Sequence, residues 1–427
     1  MSASSGSRHW RRNLLVCLLG SFTTIVAMTM LLPYLPVYVE HLGVEGDAAI
    51  VRWSGVAYAA TFLTAGLTAP LWGRLGDRYG RKPMLVRASL GMAISMSLIG
   101  LAQNVEQLVA LRLLTGLLGG YASGSTILVA AQTPREHSAW ALGVLSTGVL
   151  AGGVVGPLLG GVAPGIVGVR TSFLVAGGVI FVAFLATTFG LREDRPARRP
   201  APDGAGPGAR AARAVGVGRR RAAPRERFWA TLPGRRRVLV LLATASLLLF
   251  ATMSLEPIVT VFVGQLAPGT THAAALSGAV MAVGALGSIL AAPRLGRLAD
   301  RVGHARVVTG SLLAAAAAMG LQAVAQDVWQ LGILRFLTGI ALGGLLPAIT
   351  ASIRHAVPNA VIGRVLGLSV SAQFAGQVLG PVVGGIVAGA LGMRAVFVVT
   401  AVVLVAGALL SRVGVPRAPR AAPATEG

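Results

Sequence analysis

Twelve apolar runs, each about as long as a lipid bilayer is thick, recur along this chain and limit its fold more than any other feature. A helix rises about 1.5 Å per residue, so roughly 20 apolar residues cross the hydrocarbon core. The runs lie near 14–39, 50–72, 84–103, 107–130, 139–163, 169–191, 238–263, 273–292, 307–325, 329–352, 361–389 and 394–413. A soluble helical protein with a large core does not repeat such runs along its length. With 54% hydrophobic and only 12% charged residues, the chain is also too charge-poor for a soluble domain. The expected fold class is therefore an all-α membrane protein of twelve transmembrane helices. The first run follows Arg8, Arg11 and Arg12 as a signal peptide would. It is too long for one and lacks a small-x-small cleavage site, so it reads as a retained span.

The net charge of +23 raises the question of nucleic acid, but the cations lie between apolar runs and so face a membrane surface. No nucleic-acid partner is expected. Lys and Arg are retained on the cytoplasmic side, which predicts both termini there. That side holds Arg74, Arg78, Arg81, Lys82, Arg87, Arg135, Arg294, Arg297, Arg301, Arg306, Arg354 and Arg364, while the other holds only Arg52, Arg170 and Arg394. The expected organisation is an N-tail (1–13), a six-helix half (14–191), a linker (192–237), a second six-helix half (238–413) and a C-tail (414–427). The linker carries 14 arginines among Pro, Gly and Ala. It reads as a flexible cytoplasmic tether lying along anionic lipid headgroups, with a regulatory binding segment as the alternative. Cys17 is the only cysteine, which excludes an intrachain disulfide; within an apolar run it reads as a small buried hydrophobe.

Three unlike motifs recur at nearly one offset. Pro70-Leu-Trp-Gly73-Arg-Leu-Gly-Asp77-Arg78-Tyr-Gly80 returns 223 residues later as Pro293-Arg-Leu-Gly296-Arg-Leu-Ala-Asp300-Arg301-Val-Gly303. Leu108-x3-Arg112-x3-Gly116 returns at the same offset as Leu331-x3-Arg335-x3-Gly339. Gly152-x3-Gly156-Pro157-x2-Gly160-Gly161 returns 224 later as Gly376-x3-Gly380-Pro381-x2-Gly384-Gly385. Parallel six-helix repeats imply pseudo-symmetric halves around a central cavity, an arrangement suited to alternating access.

The stretch Gly73-Arg-Leu-Gly-Asp77-Arg78-Tyr-Gly80-Arg81-Lys82 resembles the signature loop between spans two and three of the major facilitator superfamily. In the second copy His304-Ala305-Arg306 replaces the basic run, which predicts a weaker gate element. The chain further resembles the twelve-span drug:proton antiporters, in particular multidrug efflux transporters of the MdtG type. That resemblance runs from about 10 to 410 outside the linker, through Pro33-Tyr-Leu-Pro36-Val-Tyr-Val-Glu40, Trp53-Ser-Gly55, 141–148, 331–336 and 394–397. It implies that Asp77 and its cationic neighbours latch the cytoplasmic side in the outward-open state, and that Arg112 takes part in proton coupling. It also implies that the span-five motif, Gly152, Gly156, Pro157, Gly160 and Gly161, belongs to an antiporter. The echo in Gly380 and Pro381 is consistent with mirrored packing, and both copies also read as plain small-residue packing faces.

Arg112 and Arg335 are the only cations within the expected spans away from their ends, so each should face the interior and find a carboxylate or a carbonyl. Proton coupling needs an acid that can lose its charge within the membrane. Glu256 is the one carboxylate inside a span, and Glu40, in the span-one motif, is its rival. Asp77 is placed to cap a helix N-terminus or to pair with Arg81. Pro257 matches Pro33 at offset 224, and both are expected to bend gating helices. Tyr34, Tyr58, Phe62, Met253, Gln373, Phe374 and Gln377 are candidates for a mostly apolar substrate cavity. None of the six histidines falls within a span, so no metal site is indicated.

An ATP-driven pump is disfavoured, for there is no G-x4-G-K-[ST] loop, and no set of nucleophile, base or metal ligands suggests an enzyme. The expected function is secondary active transport: proton-coupled export of small, mostly lipophilic molecules, with the proton gradient as energy source, no cofactor, and a monomer in the plasma membrane. Proton-coupled import of a metabolite and a transport-inactive receptor or scaffold remain alternatives.

Overall fold

The computed structural model describes residues 9–193, 234–270, 272–358 and 361–413. The C-tail, most of the N-tail and linker residues 194–233 lie outside the described residues. No strand occurs among those described.

The N-terminal half comprises α1 (Trp10–His41), α2 (Asp47–Tyr79), α3 (Arg81–Ile99), α4 (Val105–Leu118), α5 (Tyr121–Gln132), α6 (Ser138–Val167) and α7 (Val169–Leu185). The C-terminal half comprises α8 (Arg235–Ser254), α9 (Glu256–Leu266), α10 (Ala273–Val302), α11 (His304–Gln322), α12 (Val328–Leu342), α13 (Leu345–Ala356), α14 (Ile362–Leu391) and α15 (Met393–Val413). The pairs α4–α5, α8–α9 and α12–α13 each form one span in two pieces, which gives twelve membrane-crossing units. Ten are long and apolar enough to cross by length and composition. The other two, α2 and α3, carry the charged motif residues from Arg74 to Lys82.

The three breaks were not legible as breaks in the hydropathy pattern, and each has a local cause. Spans four and ten are interrupted at equivalent glycines, Gly120 (φ +105°) and Gly344 (φ +83°), where the left-handed backbone suits a residue without a Cβ. Carbonyls released by the first break are met by side chains: Trp72 Nε1 donates to the Leu117 carbonyl at 2.9 Å, and Arg87 Nη2 to that of Gly119 at 3.1 Å. Span seven, expected as one run over 238–263, is broken at Leu255, because Pro257 has no N–H to offer the preceding turn. Its repeat partner Pro33 sits, with Pro36, inside the uninterrupted α1. Pro36 cannot serve the Leu32 carbonyl, and the Tyr58 hydroxyl donates to it instead at 2.9 Å.

Each half has its own core. Leu31, Leu35, Met92, Met96 and Phe173 are among the buried side chains of the first, and Phe262, Leu331, Ile349 and Phe397 among those of the second. Cys17 is a free, buried thiol in the first core. The halves meet along α2–α14 and α6–α10. A methyl group on Gly55 would run into the Pro381 carbonyl, and one on Gly278 into the Pro157 carbonyl, so the interface repeats the symmetry of the chain. Hydrogen bonds join the halves at the end carrying Pro33 and Asp47: Thr260 Oγ1 donates to the Pro33 carbonyl and Gln265 Nε2 to Asp47 Oδ2, both at 2.8 Å.

Candidate transport cavity and gate

A cavity of about 310 Å³ lies between the halves, lined by Leu32 of α1, Gly153 and Pro157 of α6, and residues of α8 to α13. Its walls are mostly Leu, Met, Gly and Ala, and its polar lining is Thr252, Glu256, Ser288, Arg335 and Thr338. Glu256 is the first residue of α9, placed there by the proline break, and Arg335 projects from the middle of α12. The two stand within electrostatic reach of one another. They do not pair directly: among the described residues, contacts of opposite charge within 4.0 Å are Arg81–Asp77 and His304–Asp300. Glu256 Oε2 and Arg335 Nε and Nη2 are buried without a hydrogen-bond partner.

Arg112 is 3% exposed and meets its need with a carbonyl, Nε donating to Ala57 at 3.2 Å. Its guanidinium carbon lies 5.7 Å from the centre of the Tyr58 ring, and Tyr58 in turn is within electrostatic reach of Glu256. Arg112, Tyr58, Glu256 and Arg335 thus form an array crossing from one half to the other. Glu40 stands apart from it, exposed at the end of α1.

The expected signature loop is almost entirely helix. Gly73 to Tyr79 are the last turns of α2, and the reversal into α3 rests on Gly80 alone (φ +99°), as that into α11 rests on Gly303 (φ +96°). Asp77 pairs with Arg81 but does not cap α3. The cap is Glu193, just beyond span six, whose Oε1 and Oε2 accept from the Arg81 and Lys82 amides at 2.7 and 2.8 Å. By number Glu193 falls in the expected linker (192–237), and nothing in one dimension brings residue 193 to residue 81. At Gly73 of the motif a Cβ would meet open space, so no close helix approach depends on that glycine. In the second copy Asp300 Oδ1 lies 3.7 Å from His304 Nε2, while Arg301 is exposed.

The Gly-Pro elements are packing faces. Methyls on Gly156 and Gly160 would strike α1 at Thr29 and Met30, and one on Gly161 would come within 2.6 Å of the Ala274 carbonyl of α10. Gly152 faces Ile25, and Gly380 faces the Phe250 carbonyl of α8.

None of the seven residues expected to line the substrate cavity lines this one. Tyr34 and Tyr58 pack in the N-terminal core, and Phe62 and Gln377 are half-buried on α2 and α14. Phe374 lies against Gly66, Met253 against Gly380, and Gln373 donates to Ser369 Oγ at 3.3 Å. This cavity lies toward α8, α10 and α12. Thr252 and Thr338 escaped notice although helical spacing pointed to them, four residues before Glu256 and three after Arg335.

Two six-helix halves with a charged cavity between them define a membrane transporter that works by alternating access. The comparisons agree: the Major Facilitator Superfamily family model matches residues 17–293 and 258–427. The chain belongs to that superfamily. It is 40% identical over 403 residues to the multidrug resistance protein MdtG of Dickeya zeae (strain Ech586), covering 94% of each chain. To the MdtG of Salmonella paratyphi C (strain RKS4594) it is 40% identical over 349 residues, 82% of each chain. Among solved structures it is similar to a bacterial homolog of the human lysosomal transporter Spinster, in an inward-facing and occupied conformation. The TM-score there is 0.76 at 18% identity, covering 96% of this chain and 97% of that one. For the nucleoside transporter NupG the TM-score is 0.73 at 13% identity, with 94% and 99% covered. The chain is thus a multi-pass secondary transporter and not an enzyme.

Proposed function

We propose that this protein uses the proton gradient to export small, largely apolar molecules across the plasma membrane, with both termini in the cytoplasm. The observation that carries the reading is Glu256, an acid in a span, opening on the inter-half cavity with one oxygen unpartnered beside an arginine that does not neutralise it. A carboxyl group so placed can take up a proton or meet a substrate, and exchange between the two couples their fluxes. The relatives' name, multidrug resistance protein, supports export, and so does the antiporter-like motif around Pro157. Orientation rests on the distribution of arginines. With the motif end facing the cytoplasm, the bonds from Thr260 and Gln265 seal the external side. Protons and the substrate are then the working partners of a monomer without a cofactor, with anionic lipid headgroups beside its linker.

Everted membrane vesicles with an imposed proton gradient test the reading, using a panel of fluorescent lipophilic cations, neutral compounds and zwitterions. Uptake that collapses on addition of a protonophore is expected. Proton-driven flux in the opposite sense indicates an importer, and no proton-dependent flux of any compound by correctly inserted protein indicates a scaffold.

A further inference from the structure

The hydrogen-bonding capacity of the cavity wall is mostly spent within the wall. Thr252 Oγ1 donates to the Leu248 carbonyl at 3.0 Å, and Ser288 Oγ to that of Gly339 at 3.0 Å. Thr338 Oγ1 donates to the Leu334 carbonyl and accepts from Gln322 Nε2, both at 2.8 Å. What remains is Arg335 Nε and Nη2 on one side and Glu256 Oε2 on the other, each without a partner and closed off from open space, so that a turn of either lining side chain is what presents them to a ligand in the cavity. Nε and Nη2 form a single edge of the guanidinium, the edge that receives a carboxylate or phosphoryl group through two parallel hydrogen bonds. Arg335 is 9% exposed, so this edge is desolvated without compensation from the protein.

Three kinds of ligand charge can be weighed against that edge. A cation leaves it unfilled and sits beside a like charge. An anion fills it but lies against Glu256, which must then be neutral. A zwitterion meets both groups and leaves no buried charge unpaired. The ionisable groups facing Glu256 are Arg335 of α12 and Tyr58 of α2, with Arg112 of α4 beyond the Tyr58 ring. The lining residues of α1, α6 and α10 carry no ionisable side chain.

We propose that the cavity binds a small zwitterion, its oxyanion on the Nε–Nη2 edge of Arg335, its ammonium on Glu256, and its apolar body against Leu32, Met281, Met319 and Leu342. A volume of about 310 Å³ suits a small ligand, being at the lower end of ligand pockets. The proposal rests on the transporter reading and names its substrate class.

Three probes sharing one phenylalkyl body separate the alternatives: 2-amino-4-phenylbutanoate, 4-phenylbutanoate and 3-phenylpropylamine. Their binding to the purified full chain in lipid nanodiscs is measured by calorimetry. The zwitterion should bind at least tenfold more tightly than either singly charged probe. Arg335→Lys keeps the charge but loses the edge, and should weaken the zwitterion at least tenfold. Glu256→Gln should reduce it to the level of 4-phenylbutanoate. Equal or tighter binding of either singly charged probe, no binding of any probe, or an unchanged affinity in Arg335→Lys overturns the proposal. If the variants do not elute as monodisperse protein, the ranking of the three probes on the wild type decides alone. Proton-driven flux in vesicles beside a failed ranking sinks this inference only, whereas absent flux sinks the transporter reading beneath it.

Discussion

The Tyr58 hydroxyl donates to the Leu32 carbonyl at 2.9 Å, and Pro36 is the reason that carbonyl is available. A buried carbonyl without a donor costs about 1–3 kcal/mol, so Tyr58→Phe should destabilise the purified protein by that order, seen as a lower thermal unfolding midpoint. The aromatic face toward Arg112 survives the change. An unaltered midpoint would mean that the proline-freed carbonyl finds another donor.

Glu193 closes the N-terminus of α3 from a point 112 residues further along the chain. Losing a cap of this kind costs about 0.5–2 kcal/mol, so Glu193→Ala should loosen the first turn of α3 and Glu193→Gln should do so less. Because Cys17 is buried, Cys17→Ser gives a cysteine-free background in which Lys82→Cys reports on that turn by its rate of thiol labelling. Faster labelling in Glu193→Ala is expected; an identical rate contradicts the assignment of the cap.

Gly55 and Gly278 let two pairs of helices close on the carbonyls of Pro381 and Pro157. Gly55→Val or Gly278→Val should hold the halves apart at the Pro33 end and reduce transport at least tenfold with insertion intact. Gly310→Ala, where a methyl meets open space, is the matched control and should transport normally. Normal transport by both valine variants would show that this closure is not needed.

The twelve crossing units, the two halves and the tight packing of the Gly-Pro elements were legible because they depend on local composition and on the repeat offset. The breaks at Gly120, Leu255 and Gly344 were not, because an apolar run looks the same whether its helix is continuous or interrupted. Glu256 and Arg335 stood out as charges in apolar surroundings, a signal that survives in one dimension. The position of the cavity did not, since it depends on how α8, α10 and α12 pack. The Tyr and Gln residues chosen from the sequence are amphipathic enough to line a cavity and equally able to pack within a half, as Tyr58 does.

Asp77 pairs with Arg81 while most of its side chain is exposed, so in this conformation it holds no contact that the fold depends on. Asp77→Asn should therefore insert and unfold as the wild type does yet impair proton-driven transport, as expected of a latch used in the other state. Full activity in vesicles with verified insertion would remove it from the gate.

The effect of Glu256→Gln on proton-driven uptake in everted vesicles, with insertion and thermal stability checked in parallel, decides whether this carboxylate couples protons to transport. The substitution keeps the size of the side chain and removes its ability to carry a proton. Uptake that no longer responds to the imposed gradient, by protein that is otherwise intact, is the predicted result. Undiminished proton-driven uptake would show that Glu256 does not couple protons to transport.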